Sequence, residues 1–162
     1  MLSHSDDLRV GVDLGGTKIE AVVLRLGSAG FDILARVRRP TERDLGYEHV
    51  VSATAGLIEE AKRQAGLSTL PPVGVGMPGN VTMRRPDGSP SPIALVKNSN
   101  TTCLNARPFR RDLELQVGAP IAFDNDANCF ALAEAKLGAG SNHDASVVFG
   151  VKDLDWHKQR LE

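Results

Sequence analysis

A chain of 162 residues, 41% hydrophobic and 24% charged, is long enough for one domain with a real core, since a chain near this size removes about 70% of its extended surface from water on folding. A formal net charge of -1 leaves no cationic footprint for nucleic acid or an anionic membrane, and the longest apolar runs fall well short of the roughly 20 residues that a bilayer span needs. The polar opening from Met1 to Leu8 lacks the apolar stretch of a secretory signal, so a cytoplasmic protein is expected.

Arg9 to Asp13 and Ile19 to Arg25 are β-rich runs separated by Leu14-Gly15-Gly16-Thr17-Lys18, the pattern of two strands joined by a tight glycine turn. Phe31 to Arg38 reads as a third strand. Between Gly46 and Ala65, apolar residues at Val50, Ala53, Ala55, Leu57, Ile58 and Ala61 recur at helical spacing, and Gly66 supplies a stop. Val73 to Met77 reads as a short buried strand, and the Pro and Gly content of Pro78 to Pro92 predicts turns without regular structure. Arg107 to Val117 reads as a helix with Pro108 in its first turn. Ile121 to Phe123 is the next strand, leading through Asp124-Asn125-Asp126 into a helix from about Ala127 to Leu137 that Gly138 ends, and Val147 to Val151 begins one more strand. Three strands followed by α/β alternation predict an α/β domain, a mixed sheet flanked by helices, over residues 1–150. Residues 151–162 break the pattern: Lys152 to Glu162 is charged, carries the chain's one Trp and looks foreign to what precedes it.

Four segments carry chemistry. In Asp13-Leu14-Gly15-Gly16-Thr17-Lys18, two glycines let backbone approach phosphate oxygens, Thr17 adds a hydroxyl donor, Lys18 adds charge, and Asp13 can hold a magnesium ion directly or through water. The same residues also suit a plain hairpin turn, and no Walker A loop occurs in the chain. Gly74-Val75-Gly76-Met77-Pro78-Gly79 matches G-x-G-x-x-G in form. The dinucleotide reading needs a helix to start inside the motif, which Pro78 and its following loop oppose, so close approach to a small polar ligand with Asn80 nearby is favoured. Lys97-Asn98-Ser99-Asn100-Thr101-Thr102 is dense in groups that both donate and accept hydrogen bonds, as sugar hydroxyls do, although ordinary loops share that composition. Asp124-Asn125-Asp126-Ala127-Asn128 sits between strand and helix, where its carboxylates serve either as helix caps or as a base toward an attacking hydroxyl. Cys103 and Cys129 form no C-x-x-C pair and His4, His49, His143 and His157 are scattered, so neither a disulfide nor a metal site is indicated.

In this order and spacing, GVDLGGTKIE, GVGMPGN, KNSNTTCLNARPF and FDNDANCFALAEA resemble the ROK family of sugar kinases from about Arg9 to Val151. The resemblance implies an actin-like, ribonuclease-H-like ATPase lobe. It implies Asp126 as general base on the sugar hydroxyl, with Gly79, Asn80, Asn100 and Asn125 contacting the sugar. Gly15, Gly16, Thr17 and Lys18 would face the phosphates of ATP, and Asp13 would help hold magnesium. Within the family the lysine-asparagine loop looks most similar to bacterial fructokinases and mannokinases acting on the 6-hydroxyl. N-acetylglucosamine kinases, glucokinases and a non-catalytic sugar-binding fragment are the alternatives. Family members are often homodimers.

The chain departs from the family pattern after Val151, where a second glycine-rich phosphate loop and a zinc-binding histidine and cysteine cluster are expected and do not follow. As written it reads as an N-terminal lobe without its C-terminal lobe, and without turnover of its own. Codons exist for Asp155 to Arg160 that, read one base later, encode Thr-Gly-Thr-Ser-Asn-Gly, which suggests a frameshift shortly after Gly150. A ROK repressor would carry a DNA-reading domain ahead of the phosphate motif, and the twelve residues before Asp13 leave no room for one.

Overall fold

The structure, a computed structural model, describes residues 7–27 and 30–137. The expected stop at Gly138, the strand from Val147 to Val151 and the tail 151–162 lie outside the described residues.

Period-two alternation organises the sheet. In β1 (Leu8–Leu14), Val10, Val12 and Leu14 are buried, while Arg9 and Asp13 point to the other side. β2 (Lys18–Gly27) repeats this with Ile19, Ala21 and Val23, and pairs antiparallel to β1 so that Leu14 faces Ile19 and Asp13 faces Glu20. β3 (Gly30–Pro40) extends the antiparallel edge, with its register shifting between Val23 and Leu24. β4 (Val73–Met77) and β7 (Ile121–Asn125) join in parallel, giving the order β3-β2-β1-β4-β7. A strand that returns parallel needs a crossover, and helices supply it.

α1 (Tyr47–Gln64) buries Val50, Ala53, Ala55, Leu57, Ile58 and Ala61, the residues predicted by their spacing, and Val51 and Thr54 besides. Each fully buried Val, Leu or Ile contributes about 1.5–3 kcal/mol relative to exposure, so this stripe holds the helix on the sheet. Glu48 in its first turn and Lys62 and Arg63 in its last suit the helix dipole, and Gly66, at φ 70°, follows the end as expected. α2 (Phe109–Val117) lies on the same side, where Phe109 meets the Tyr47 ring edge-on at 6.5 Å and the Tyr47 hydroxyl donates to Asp112 at 2.6 Å. Burial and that acidic partner together push the Tyr47 phenol above its ordinary range. α3 (Asp126–Leu137) covers part of the opposite face: a Cβ added to Gly76 would lie 3.3 Å from the Cys129 sulfur.

Two expectations are corrected. Pro78 to Pro92 is not devoid of regular structure, because β5 (Asn80–Arg84) and β6 (Pro90–Lys97) form a two-stranded antiparallel sheet. The second edge of β6 is bonded at Val96, to Ala106 and Arg107, at the end of the strand away from Pro90 and Pro92, so these prolines are tolerated, and the register shift between Thr82 and Arg84 absorbs the mismatch. Asp87 closes the turn by accepting from the Ser89 backbone N–H at 2.9 Å and its hydroxyl at 2.7 Å. The second correction is smaller. Pro108 is the residue before α2 and is not in its first turn, with ψ 55° outside the helical region, so the helix starts at Phe109.

Candidate active site

The turn between β1 and β2 is closed by the Gly15 N–H donating to the Lys18 carbonyl at 2.9 Å. A Cβ on Gly15 would sit 2.8 Å from that same oxygen, so glycine is required there by backbone contact. Thr41, just past β3, fixes the turn twice: its hydroxyl donates to the Gly15 carbonyl at 2.7 Å and its N–H to the Thr17 carbonyl at 3.0 Å. Gly16 is flanked by Arg43 and Thr101, whose Nη1 and Oγ1 lie 3.3 and 3.9 Å from where its Cβ would be. Arg43 Nη1 in turn donates to the Asn100 carbonyl at 3.3 Å. The glycine turn and the polar loop around Asn100, far apart in sequence, therefore meet at one place.

That polar loop is held from within. The Asn105 side chain accepts from the Ser99 N–H at 2.9 Å and donates to the Ser99 carbonyl at 3.1 Å, while the Ser99 hydroxyl accepts from the Thr101 N–H at 3.1 Å. Gly79 packs against the same loop. At φ 99° it occupies a conformation that side chains resist, and a Cβ there would come within 2.7 Å of the Lys97 carbonyl and 2.9 Å of Ser99 backbone atoms.

Asn125 links Gly79 to α3: its amide donates to the Gly79 carbonyl at 2.6 Å, and its side-chain oxygen accepts from the Ala127 N–H at 2.9 Å. Asp124 accepts from the Asn125 N–H at 2.7 Å and the Asn128 amide at 2.9 Å, and Asp126 accepts from the Ala127 N–H at 2.8 Å. Asp124, Asn125 and Asp126 thus act as helix caps, one of the two roles anticipated for the segment. These bonds use one oxygen of each carboxylate and leave the other available to accept.

Two cavities adjoin these groups. The larger, about 930 Å³, is lined by Gly11, Asp13, Glu20, Gly74, Gly76, Asp124, Asp126 and Cys129 among others. The smaller, about 260 Å³, is lined by Met77, Gly79, Asn80, Val81, Lys97, Phe123, Asp124 and Asn125. Phe123 and Asp124 belong to both walls. Asp13 and Asp126 share the larger cavity, Gly79, Asn80 and Asn125 share the smaller, and Gly15, Gly16, Thr17, Lys18 and Asn100 line neither.

The larger cavity is acidic. Burial raises the Asp13 carboxyl above its ordinary range, the negative charges of Asp126 and Glu20 raise it further, and Lys18 opposes them. Cys129 reports the same field from α3, its thiol pushed up by burial first and then by Asp124, Asp126 and Asp13. Glu20 is held the other way. Arg36 donates to it at 2.6 and 2.9 Å and Arg38 at 2.5 Å, and these bonds lower its carboxyl. Asp124 and Asp126, which accept hydrogen bonds but pair with no cation among the described residues, are the acids beside Asp13. No cluster of three or more His, Cys, Asp or Glu suited to a metal occurs among the described residues.

Sequence reasoning passed over Thr41, Arg43 and Asn105, and it named Asp124 in its segment without assigning it to the site. Thr41 and Arg43 lie in a short segment with no motif of its own, and Arg43 acquires meaning only through contacts with Gly16 and Asn100. Asp124 stood beside the chosen Asp126 in the same run, and the sequence offered nothing to separate them.

A sequence model of the ROK family matches residues 9–152. Among curated proteins the chain is similar to an N-acetyl-D-glucosamine kinase of Photobacterium profundum, 39% identical over 125 residues, covering 77% of this chain and 37% of the relative. It is likewise similar to an N-acetyl-D-glucosamine kinase of Escherichia coli O1:K1 / APEC, 35% identical with the same coverage. Among solved structures it superposes on the ROK hexokinase from Thermus thermophilus with TM-score 0.65 and 37% identity, covering 83% of this chain and 40% of that one. It superposes on a ROK family glucokinase from Streptomyces griseus in complex with glucose and AMPPNP with TM-score 0.66 and 30% identity, covering 85% and 39%. The chain spans well under half the length of each of these relatives. Its mixed sheet, with helices on both faces, is the actin-like lobe expected from the sequence. By the extent of these matches, the chain belongs to the ROK family.

Proposed function

We propose that this chain is the N-terminal lobe, residues 1–150, of an ATP-dependent kinase that phosphorylates a hexose on its 6-hydroxyl, of fructokinase or mannokinase type, in the cytoplasm. One observation carries the reading: Asp13 and Asp126 share a cavity whose wall continues through Phe123 and Asp124 into a sugar-sized hollow lined by Gly79, Asn80 and Asn125. Phosphoryl transfer is chiefly positioning and charge stabilisation, so a base, a cation site and a set of donors suffice on the lobe's side.

In this proposal Gly15, Gly16, Thr17 and Lys18 receive the ATP phosphates at the turn that Thr41 fixes. Asp13 holds a magnesium ion, which would neutralise developing phosphate charge. Gly79, Asn80, Asn100 and Asn125 orient the sugar. Asp126 takes the proton of the attacking hydroxyl, late in bond formation, because a carboxylate is a far weaker base than an alkoxide. The missing adenine pocket and the remaining sugar contacts fall to a second lobe, and homodimerisation to that lobe's surface.

A second reading, an N-acetylglucosamine kinase, is favoured by the Photobacterium profundum relative at 39% identity. ADP release measured over fructose, mannose, glucose and N-acetylglucosamine, on this lobe joined to a family C-terminal lobe, separates the two. The expected result is highest kcat/KM with fructose or mannose, with Asp126→Asn abolishing turnover while sugar affinity stays within about tenfold. Highest kcat/KM with N-acetylglucosamine selects the second reading, and retained turnover in Asp126→Asn removes Asp126 from the mechanism.

A further inference from the structure

We propose that Arg43 is a phosphate ligand: its guanidinium, lying against Gly16 and tethered to the Asn100 carbonyl, receives the terminal phosphate of a triphosphate donor where the glycine turn meets the polar loop. The inference rests on the phosphoryl-transfer reading above and adds to it a residue with no place in any of the four segments.

Geometry is the first support. Nη1 of Arg43 lies 3.3 Å from the position of a Gly16 Cβ, so the cation covers the open side of the turn. Arg43 opens a short 3-10 helix, Arg43–Leu45, two residues past Thr41, and Thr41 is bonded to both Gly15 and Thr17. The arginine is thereby carried on the same rigid corner as the turn it faces.

Its bonding is the second support. Arg36, Arg38, Arg63, Arg107 and Arg110 each pair with a carboxylate. Arg43, like Arg25, Arg39, Arg84, Arg85 and Arg111, has no ion pair among the described residues, and its one hydrogen bond there is a long contact to a neutral carbonyl. A guanidinium carries five N–H donors in a fork that matches two oxygens of a phosphate, and most of these remain for a ligand. Exposure at the protein surface leaves them reachable.

The third support is Thr101. Its side chain is 0% exposed, and its hydroxyl has no hydrogen-bond partner among the described residues. A buried hydroxyl without a partner costs free energy unless another state of the site satisfies it. Oγ1 lies 3.9 Å from the Gly16 Cβ position, beside Arg43, so the unsatisfied donor and the unpaired cation converge on one glycine. An anion drawn to Gly16 gives both a partner.

The test is calorimetric titration of the 162-residue chain with inorganic tripolyphosphate, Mg-ATP and ADP, each variant first checked for an unchanged thermal melt. Arg43→Ala is expected to weaken tripolyphosphate and Mg-ATP by at least about tenfold, as loss of a charged hydrogen-bond donor does, with ADP weakened less and Arg43→Lys intermediate. Comparable loss with both ligands supports a contact to the triphosphate chain itself, whereas loss confined to Mg-ATP contradicts it. If Lys18→Ala weakens binding while Arg43→Ala and Arg43→Lys leave it unchanged, the role of Arg43 is overturned and the phosphate turn stands. If no triphosphate binds, or if binding ignores Lys18 and Arg43 alike, the turn and the inference are overturned together.

Discussion

The two faces of the central sheet are built from alternate residues of the same strands and do opposite things. On one face Val10, Val12, Leu14, Val73, Val75, Met77 and Ile121 are buried beneath α1 and α2. On the other, the neighbouring positions are Gly11, Asp13, Gly74, Gly76 and Asp124, and these line the acidic cavity. One face stabilises the lobe and the other tolerates charge. Alternation lets a five-residue strand serve both ends, because a side chain's neighbour in sequence points away from it, although Val12, Val75 and Phe123 belong to the packed face and also border the cavity.

Breaking the packed face has the largest expected effect. Phe109 is fully buried between Tyr47 and Phe123, with ring centroids at 6.5 and 5.9 Å, so Phe109→Ala should cost about 3–5 kcal/mol in denaturant unfolding. Ligand affinity of the molecules that remain folded should be unchanged if the faces are separable. Gly79→Ala tests the point where the faces are joined by backbone, since both its positive φ and the 2.7 Å approach to the Lys97 carbonyl oppose a side chain. A loss of roughly 2 kcal/mol or more is expected, accompanied by weaker sugar binding as the Lys97 to Ser99 loop moves.

The smallest effects carry opposite signs. Asp13 is raised by burial and by like charges, so its favourable contribution is present below an ordinary pKa of about 4 and lost as pH rises through its higher folded value. Glu114 on α2 is lowered, first by the Ile121 N–H at 2.9 Å and then by Arg110, so its contribution is present above the ordinary glutamate range and lost as pH falls through its folded value. At pH 7 in the absence of magnesium, Asp13→Asn should therefore raise the unfolding free energy and Glu114→Gln should lower it, each by less than about 1 kcal/mol given solvent screening, read as opposite shifts in melting temperature. Both differences should shrink in melts at progressively lower pH. Shifts of the same sign would contradict the division between the faces.

Much of this was readable from residue order. The β1 and β2 alternation, the α1 stripe and the two-glycine turn follow from local spacing, and the structure realises each. The β5–β6 hairpin was missed because Pro content was weighed without the position of Pro90 and Pro92, away from the bonded end of the β6 edge, that makes it harmless. Arg43 and Thr101 were missed as a pair for a different reason. Their relation to Gly16 depends on how the chain returns across β3 and β6, and no local pattern encodes that return. Asn125 was assigned to the sugar by resemblance, and the structure adds a second occupation, since its amide already joins Gly79 to the start of α3.

The most direct test of the account is an amide chemical-shift map of this chain titrated first with Mg-ATP and then with fructose or mannose. The account predicts that nucleotide shifts the amides of Gly15, Gly16, Thr17 and Lys18, and that sugar shifts those of Gly79, Asn80 and Asn125, with α1 unmoved. Nucleotide and sugar perturbing the α1 face, or leaving both sets of glycines untouched at saturation, would contradict it.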